Sequence, residues 1–193
     1  MPDTRTHDII TVATGAILAP AACVLLEAGG RDDAAAGAAV LTGAHLISGL
    51  LFSPDLDIDS AIDNRWGFLF WIWRPYMWLI PHRHFWSHSL VFAPLLRLIY
   101  FYLVTLLIVV WGAWLLGRIG IGVPDLHTQA SAWFFDIMRR NPDMVRLFIL
   151  GFISGSAAHT IADWLVTGGK RYMRMAGIRL RRDYRNHDQM PGG

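Results

Sequence analysis

Histidine and aspartate recur at four places that are far apart in the amino-acid sequence. His7 opens the first apolar run, "SPDLDIDS" (53–60) follows the second, "HRHFWSHS" (82–89) precedes the third, and "HTIADW" (159–164) closes the fourth. Imidazole and carboxylate are ligands that proteins use for divalent transition metals. Because ionisable groups are costly inside a membrane and are normally functional there, the four places together predict a metal centre.

The spacing within these segments narrows the choice of ligands. His159 and Asp163 are four residues apart, which on a helix places their Cβ atoms about 5–6 Å from each other on one face. His84 and His88 share this spacing, and the alternating aspartates after Pro54 can point inward together. The alternative is a polar helix boundary, with His159 and Asp163 forming only a hydrogen-bonded pair. The predicted ligands are His7, Asp55, Asp57, His82, His84, His88, His159 and Asp163.

The composition restricts the kind of metal. Cys23 is the single cysteine and Glu27 the single glutamate, so a cysteine-based zinc site is excluded and His and Asp must supply the ligands. "DLDID" lacks the glycine and the terminal Glu of a calcium-binding loop, which disfavours Ca²⁺. The abundance of imidazole favours one or more Zn²⁺ ions, and Mn²⁺ and Fe²⁺ are the alternatives.

The elements that position these residues are predicted to be membrane helices. The chain has 193 residues, of which 54% are hydrophobic and 17% charged, whereas soluble domains carry about 25% charged residues. A membrane span needs about 20 mostly apolar residues. Four segments qualify, and they predict an all-α, integral membrane helical bundle: 9–28, 35–52, 98–117 and 147–166.

Two further features refine this bundle. Gly151 and Gly155 have the spacing that allows close packing between helices in lipid. The segment 64–81 is short, is interrupted by Pro75 and is rich in tryptophan. Because Trp and Tyr favour the membrane–water boundary, we expect this segment to lie along the surface of the membrane. His45 lies deeper in the second span and could support the ligands or face a pore.

The distribution of Lys and Arg predicts the orientation of the bundle. Four spans place both termini and the connection between spans two and three on one side, and this side carries most of the basic residues. The positive-inside rule makes that side cytoplasmic. The chain is thereby divided into a membrane-embedded metal-binding domain, 1–167, and a basic cytoplasmic tail, 168–193, that is attracted to anionic lipid headgroups.

The order of these motifs resembles a family of uncharacterised bacterial membrane proteins described as metal-binding, and this resemblance implies a bacterial inner membrane. It is also similar to bacterial membrane-bound metal-dependent hydrolases, whose pattern is P-D-I-D-H, H-R-G-x-T-H-S and S-H-x-x-x-D, and which are distantly similar to zinc-dependent phospholipase C. This chain has Asp59-Ser60 in place of D-H, and "HRHFWSHS" has one residue more than its counterpart, so His82 or His84 partners His88. The resemblance covers residues 7–167 and matches His7, Asp55, Asp57, His82, His88, His159 and Asp163.

The predicted function is hydrolysis of a lipid or phosphoester with a metal-activated water. Asp57 or Asp59 would accept the proton from this water, and Arg83 would hold a phosphate or carboxylate oxyanion. The alternative is a non-catalytic metal-binding membrane protein with a structural or sensing site. Transport is disfavoured because the polar residues gather at one face, and no nucleic-acid partner is expected. Membrane lipids are the expected partners, and the sequence leaves the oligomeric state open.

Overall fold

The fold is that of an all-helical chain. A computed structural model describes residues 4–52, 63–79, 89–122 and 125–175, with side chains described for 5–52, 65–79, 89–122 and 125–165. Within these residues there are helices and no strand. The helices are α1 (Thr4–Ala28), α2 (Ala34–Leu51), α3 (Asp63–Trp66), a 3₁₀ helix (Gly67–Trp73), α4 (Arg74–Leu79), α5 (Phe92–Arg118), α6 (Leu126–Arg140) and α7 (Pro142–Met175).

Four of these helices, α1, α2, α5 and α7, are long and apolar enough to cross a membrane. Each contains one of the apolar segments found in the sequence, so the predicted fold class is confirmed. The helix α7 is longer than expected, because it continues to Met175 and passes the predicted domain boundary at residue 167. The helix α6 is an additional element that the search for apolar spans did not reveal.

The directions of the long helices follow from their contacts. Thr11 of α1 lies against Gly49 of α2, whereas Leu26 lies near Gly37, so α1 and α2 run antiparallel. Gly37 also lies near Leu147, and the His45 carbonyl lies next to Gly155, so α2 and α7 run parallel. The start of α1 and the later parts of α2 and α7 therefore meet at one end of the bundle, which we call the histidine end.

The helices α2 and α7 approach each other at backbone distance. A Cβ atom added to Gly151 would lie 2.0 Å from the Leu41 carbonyl oxygen, and one added to Gly155 would lie 2.1 Å from the His45 carbonyl oxygen. No side chain fits at either position, which confirms the close packing predicted from this glycine pair. We call α1, α2 and α7 the close-packed unit.

The tryptophan-rich segment packs inward as well as outward. Trp73 and Tyr76 are buried, and the Phe52 ring meets the Trp73 ring edge-on with centroids 5.4 Å apart. Phe101 of α5 and Phe152 of α7 contact the same Phe52 ring. In contrast, the side chains of Phe68, Trp71 and Trp78 are exposed, as an interfacial segment would present them. The inward-facing rings form an aromatic cluster at the histidine end.

The helices α5 and α6 pack loosely in comparison. A Cβ atom added to Gly112 or Gly117 of α5 would have no neighbour within 4 Å. Tyr102 stacks on Phe134 of α6 with ring centroids 5.1 Å apart. Between α5, α6 and α7 lies an apolar cavity of about 990 Å³, and its lining includes Leu106, Val109, Ala130, Met138, Val145 and Phe148.

At the opposite end of the bundle, exposed ion pairs connect the segment before α2 to the first turn of α7. Arg31 donates two hydrogen bonds, of 2.8 and 2.9 Å, to the carboxylate of Asp33, the residue preceding α2. These bonds hold the pKa of Asp33 below its ordinary value. A guanidinium nitrogen of Arg31 also lies 3.6 Å from Asp143 in the first turn of α7. Such exposed pairs connect the helix ends but contribute little to stability.

Candidate metal centre

Three of the predicted ligands meet at the histidine end. His7 comes from the first turn of α1, and His159 and Asp163 come from consecutive turns of α7. His7 and His159 are 3% and 2% exposed. Local sequence explains their placement, because His7, Thr11 and Gly15 follow each other at intervals of four residues and form the inner face of α1.

The Asp163 carboxylate bridges the two imidazoles. Its Oδ1 atom lies 3.3 Å from His7 Nε2, and its Oδ2 atom lies 3.6 Å from His159 Nε2. The two imidazole rings are stacked, with centroids 3.7 Å apart and an interplanar angle of 15°. The side chain of Asp163 is 16% exposed, so the group as a whole is largely shielded from solvent.

This donor set fits a divalent transition metal. One ligand atom from each residue can be chosen so that all three lie within 4.8 Å of one another. Bonds of about 2.0–2.1 Å in a tetrahedral zinc site place neighbouring ligand atoms about 3.3 Å apart, close to the nitrogen–oxygen distances observed here. Two imidazoles and one carboxylate are the ligand types of catalytic zinc sites, which use three protein ligands. His7, His159 and Asp163 would hold the ion.

The remaining predicted site residues lie outside the described residues. Asp55, Asp57 and Asp59 fall in 53–62, and His82, Arg83, His84 and His88 fall in 80–88. Their roles therefore stay predictions. The described chain resumes at Ser89, and the third long helix begins at Phe92.

A buried arginine near the centre was missed by the sequence reasoning. Arg97 is 1% exposed, although it lies only one residue before the uncharged run that marks the third span. Its Nη1 atom donates to the Phe52 carbonyl oxygen at 2.8 Å and lies 3.5 Å from Ser156 Oγ, one turn before His159. A charge within an apolar run is a signal of function, but at the edge of the run it was indistinguishable from an ordinary boundary residue.

A second cation is attached to the start of α1. Arg65 forms an ion pair with Asp8, the neighbour of His7, and donates to the Leu50 carbonyl oxygen at 2.6 Å. Its side chain is 26% exposed, so this pair lies at the edge of the centre.

His45 has a structural environment distinct from the centre. Its Nε2 atom lies 2.9 Å from Thr14 Oγ1, and its Nδ1 atom lies 2.9 Å from Ser154 Oγ. It therefore links α2 to α1 and α7 in the middle of the close-packed unit. The geometry gives His45 a helix-linking role, and it does not belong to the group formed by His7, His159 and Asp163.

Comparison with known proteins agrees with metal binding. Residues 2–173 match the model of a family described as "Uncharacterized metal-binding protein (DUF2227)". The chain belongs to this metal-binding family. No curated protein and no solved structure matches the chain significantly.

Membership of the metal-binding family confirms part of the resemblance inferred from the motifs. The uncharacterised metal-binding family is one of the two families that the motifs resemble, and its model covers almost the whole chain. The kinship with membrane-bound hydrolases, the bacterial origin and the choice of zinc stay predictions, because the family description names a metal without its identity.

Proposed function

We propose that this metal-binding protein is a membrane-embedded hydrolase of lipids or phosphoesters. The observation that carries the proposal is the convergence of His7, His159 and Asp163 from two distant helices at one end of an apolar bundle. Four helices of spanning length support insertion in a membrane, and the location of the centre at a bundle end supports access from the headgroup region rather than from the hydrocarbon midplane.

The residues of the proposed site would have separate roles in metal binding and in hydrolysis. His7 and His159 hold the ion through neutral imidazole nitrogens, and Asp163 supplies a negative charge that offsets the charge of a dication. When bound, the ion supplies Lewis acidity and lowers the pKa of water to about 7. Asp57 or Asp59 would accept a proton, and Arg83 would bind an oxyanion, as their positions in the motifs suggest.

The apolar cavity supports a lipid as the substrate class. Phe101 and Phe148, which line it, also pack in or against the aromatic cluster at the histidine end. A hydrophobic surface thus extends from the neighbourhood of the centre along α5 and α7. An acyl chain is the kind of ligand that such a surface accepts.

The proposal is tested first by metal content. Detergent-purified protein is expected to bind a divalent metal, and His7→Ala, His159→Ala or Asp163→Ala should each lower the bound metal at least tenfold. His127→Ala is the matched control, because His127 is exposed on α6, and it should leave the content unchanged. Full occupancy in all three variants would refute the site.

Catalysis is tested separately on a panel of phospholipids and soluble phosphoesters. The wild type should release product, chelation should abolish the release, and Zn²⁺ should restore it. His159→Ala and Asp57→Asn should both be inactive, although Asp57→Asn is expected to retain metal if Asp57 acts as a base. Metal binding without turnover on any substrate would refute the hydrolase.

A non-catalytic site is the second candidate, and the burial of the centre favours it. Both histidines are at most 3% exposed, and structural metal sites are closed, with every position occupied by protein. In that case metal should raise the unfolding temperature strongly while every substrate remains intact.

Reporter fusions test the proposed location, since both termini should be cytoplasmic in an inner membrane.

A further inference from the structure

The carboxyl end of α2 is held by side chains from other helices. The last carbonyl groups of a helix lack partners within it and carry partial negative charge. Here three consecutive carbonyl oxygens accept side-chain hydrogen bonds: Leu50 from Arg65 at 2.6 Å, Leu51 from the Trp66 indole at 2.9 Å and Phe52 from Arg97 at 2.8 Å. Two of the three donors are guanidinium groups, which suit the negative end of the helix dipole.

Each of these arginines also reaches a helix that carries a candidate ligand. Arg65 pairs with Asp8, which directly follows His7 on α1. Arg97 lies 3.5 Å from Ser156, which precedes His159 by one turn on α7. The two cations therefore connect the end of α2 to α1 on one side and to α7 on the other.

This connection matters because α1 and α7 pack mainly on α2 and much less on each other. The separation of the α1 and α7 backbones on either side of the stacked His7 and His159 rings therefore depends largely on α2. A small shift of either helix would change the 3.3 Å separation between His7 and Asp163, whereas the 3.6 Å separation between His159 and Asp163 lies within α7. Groups that orient metal ligands without touching the metal commonly affect affinity about 10–100-fold.

The environment of Arg97 strengthens the argument. Removing a guanidinium from water is expensive, and replacing buried charged groups with well-packed apolar residues often leaves stability unchanged. Arg97 is nevertheless fully buried, in the second turn of α5. Its planar head offers several N–H donors in a fixed arrangement, so it can hold two acceptors at a defined separation, which a lysine cannot do equally well.

We propose that Arg65 and Arg97 are positioning residues for the metal centre, clamping α1 and α7 to the carboxyl end of α2. This inference rests on the proposed metal site. It assigns neither arginine to the ion itself. Arg65 acts through Asp8 on His7, and Arg97 acts through Ser156 on His159 and Asp163.

The test compares metal affinities of full-length protein in detergent, with Co²⁺ as a spectroscopic probe and Zn²⁺ in competition. Arg97→Met and Arg65→Met should each weaken Co²⁺ affinity about 10–100-fold and alter the ligand-field spectrum of the bound ion. Arg97→Lys should recover part of the affinity. Arg74→Met is the matched control, because Arg74 is exposed and lies over Trp71, and it should match the wild type in both measurements.

Milder variants cover the case in which loss of a buried arginine prevents folding. Asp8→Asn keeps both arginines and removes only the charge that Arg65 contacts, and Ser156→Ala removes one acceptor of Arg97. Each should weaken Co²⁺ binding about tenfold while the metal-free protein remains monodisperse. Asp8→Asn combined with Arg65→Met should be no worse than Arg65→Met alone, because both break one connection.

The outcomes separate this inference from the proposed function. If His159→Ala abolishes binding while the folded arginine, Asp8 and Ser156 variants all stay within twofold of the wild type, the clamp is refuted and the metal site stands. If His159→Ala binds Co²⁺ normally, the site itself is refuted. Weaker affinity with an unchanged Co²⁺ spectrum would also overturn the positioning role, since the ligand geometry would then be intact.

Discussion

The close-packed unit of α1, α2 and α7 differs sharply from the pair α5 and α6. In the close-packed unit, glycine allows backbone contact, as at Gly151 and Gly155, and buried polar groups such as His45 link the helices. In the other region, Gly112 and Gly117 face open space and a cavity of about 990 Å³ remains. Apolar helices of one chain therefore form one region with backbone contact between helices and one region with a cavity between them.

The difference between the two regions shows which helices must keep a precise separation. His7, His159 and Asp163 all belong to the close-packed unit, so the candidate ligands stand on helices whose separation is fixed by backbone contact. Ligand sets must be held within about 0.5 Å to function. The helices α5 and α6 carry no residue of this group, and their loose packing leaves space for a hydrophobic ligand.

Substitution of the contact glycines should have the largest effect. Gly151→Leu or Gly155→Leu places a side chain where the α2 backbone lies, and we expect destabilisation of at least about 3 kcal/mol and loss of bound metal. Thermal unfolding in detergent measures the change. Gly112→Leu in α5 is the control and should unfold like the wild type. Equal stability of the Gly155→Leu and Gly112→Leu proteins would erase the contrast between the two regions.

Removal of the buried imidazole should have a moderate effect. His45→Leu deletes the hydrogen bonds to Thr14 and Ser154, which should cost about 1 kcal/mol because such interactions are modest in membrane proteins. Metal content should remain unchanged, since His45 is separate from the centre. Tyr102→Phe, which removes a 3.5 Å contact with Ser131, should change stability by less than about 0.5 kcal/mol. Metal loss in His45→Leu would instead make His45 part of the centre.

Filling the cavity should have the smallest effect. Ala130→Leu adds apolar volume to the cavity lining, and we expect stability within about 0.5 kcal/mol of the wild type. The same substitution at Ala44, which is buried beside Gly151, should cost about 1–3 kcal/mol. Unfolding temperatures of the two proteins give the comparison. Similar losses at Ala130 and Ala44 would show that the cavity is as closely packed as the helix contact.

Much of the fold could be predicted because it depends on local composition. Apolar runs identified all four long helices, and the Gly151–Gly155 spacing indicated the closest contact between two of them. The convergence of His7 with His159 also followed from the even number of spans, because four spans place the start of α1 and the end of α7 on one side. These inferences need only the length and direction of each helix.

The remaining features depend on contacts between distant segments. The burial of Trp73 and Tyr76 results from their fit against Phe52, and nothing local distinguishes them from the exposed Trp71 and Trp78. The burial of Arg97 likewise depends on the Phe52 carbonyl. The helix α6 was missed because its apolar residues share its length with charged ones, so a search for uncharged spans passes over it.

The uninterrupted length of α7 carries the helix of two candidate ligands well past the metal centre. The helix includes His159 and Asp163 and continues without a break from Leu165 to Met175, a further distance of about 15 Å. A hydrogen-bonded helix resists bending over such a length, so a displacement near Met175 would also move the turns that carry His159 and Asp163. A molecule that binds near the carboxyl end of α7, where the sequence has Lys170 and Arg171, would therefore displace two of the three candidate metal ligands together.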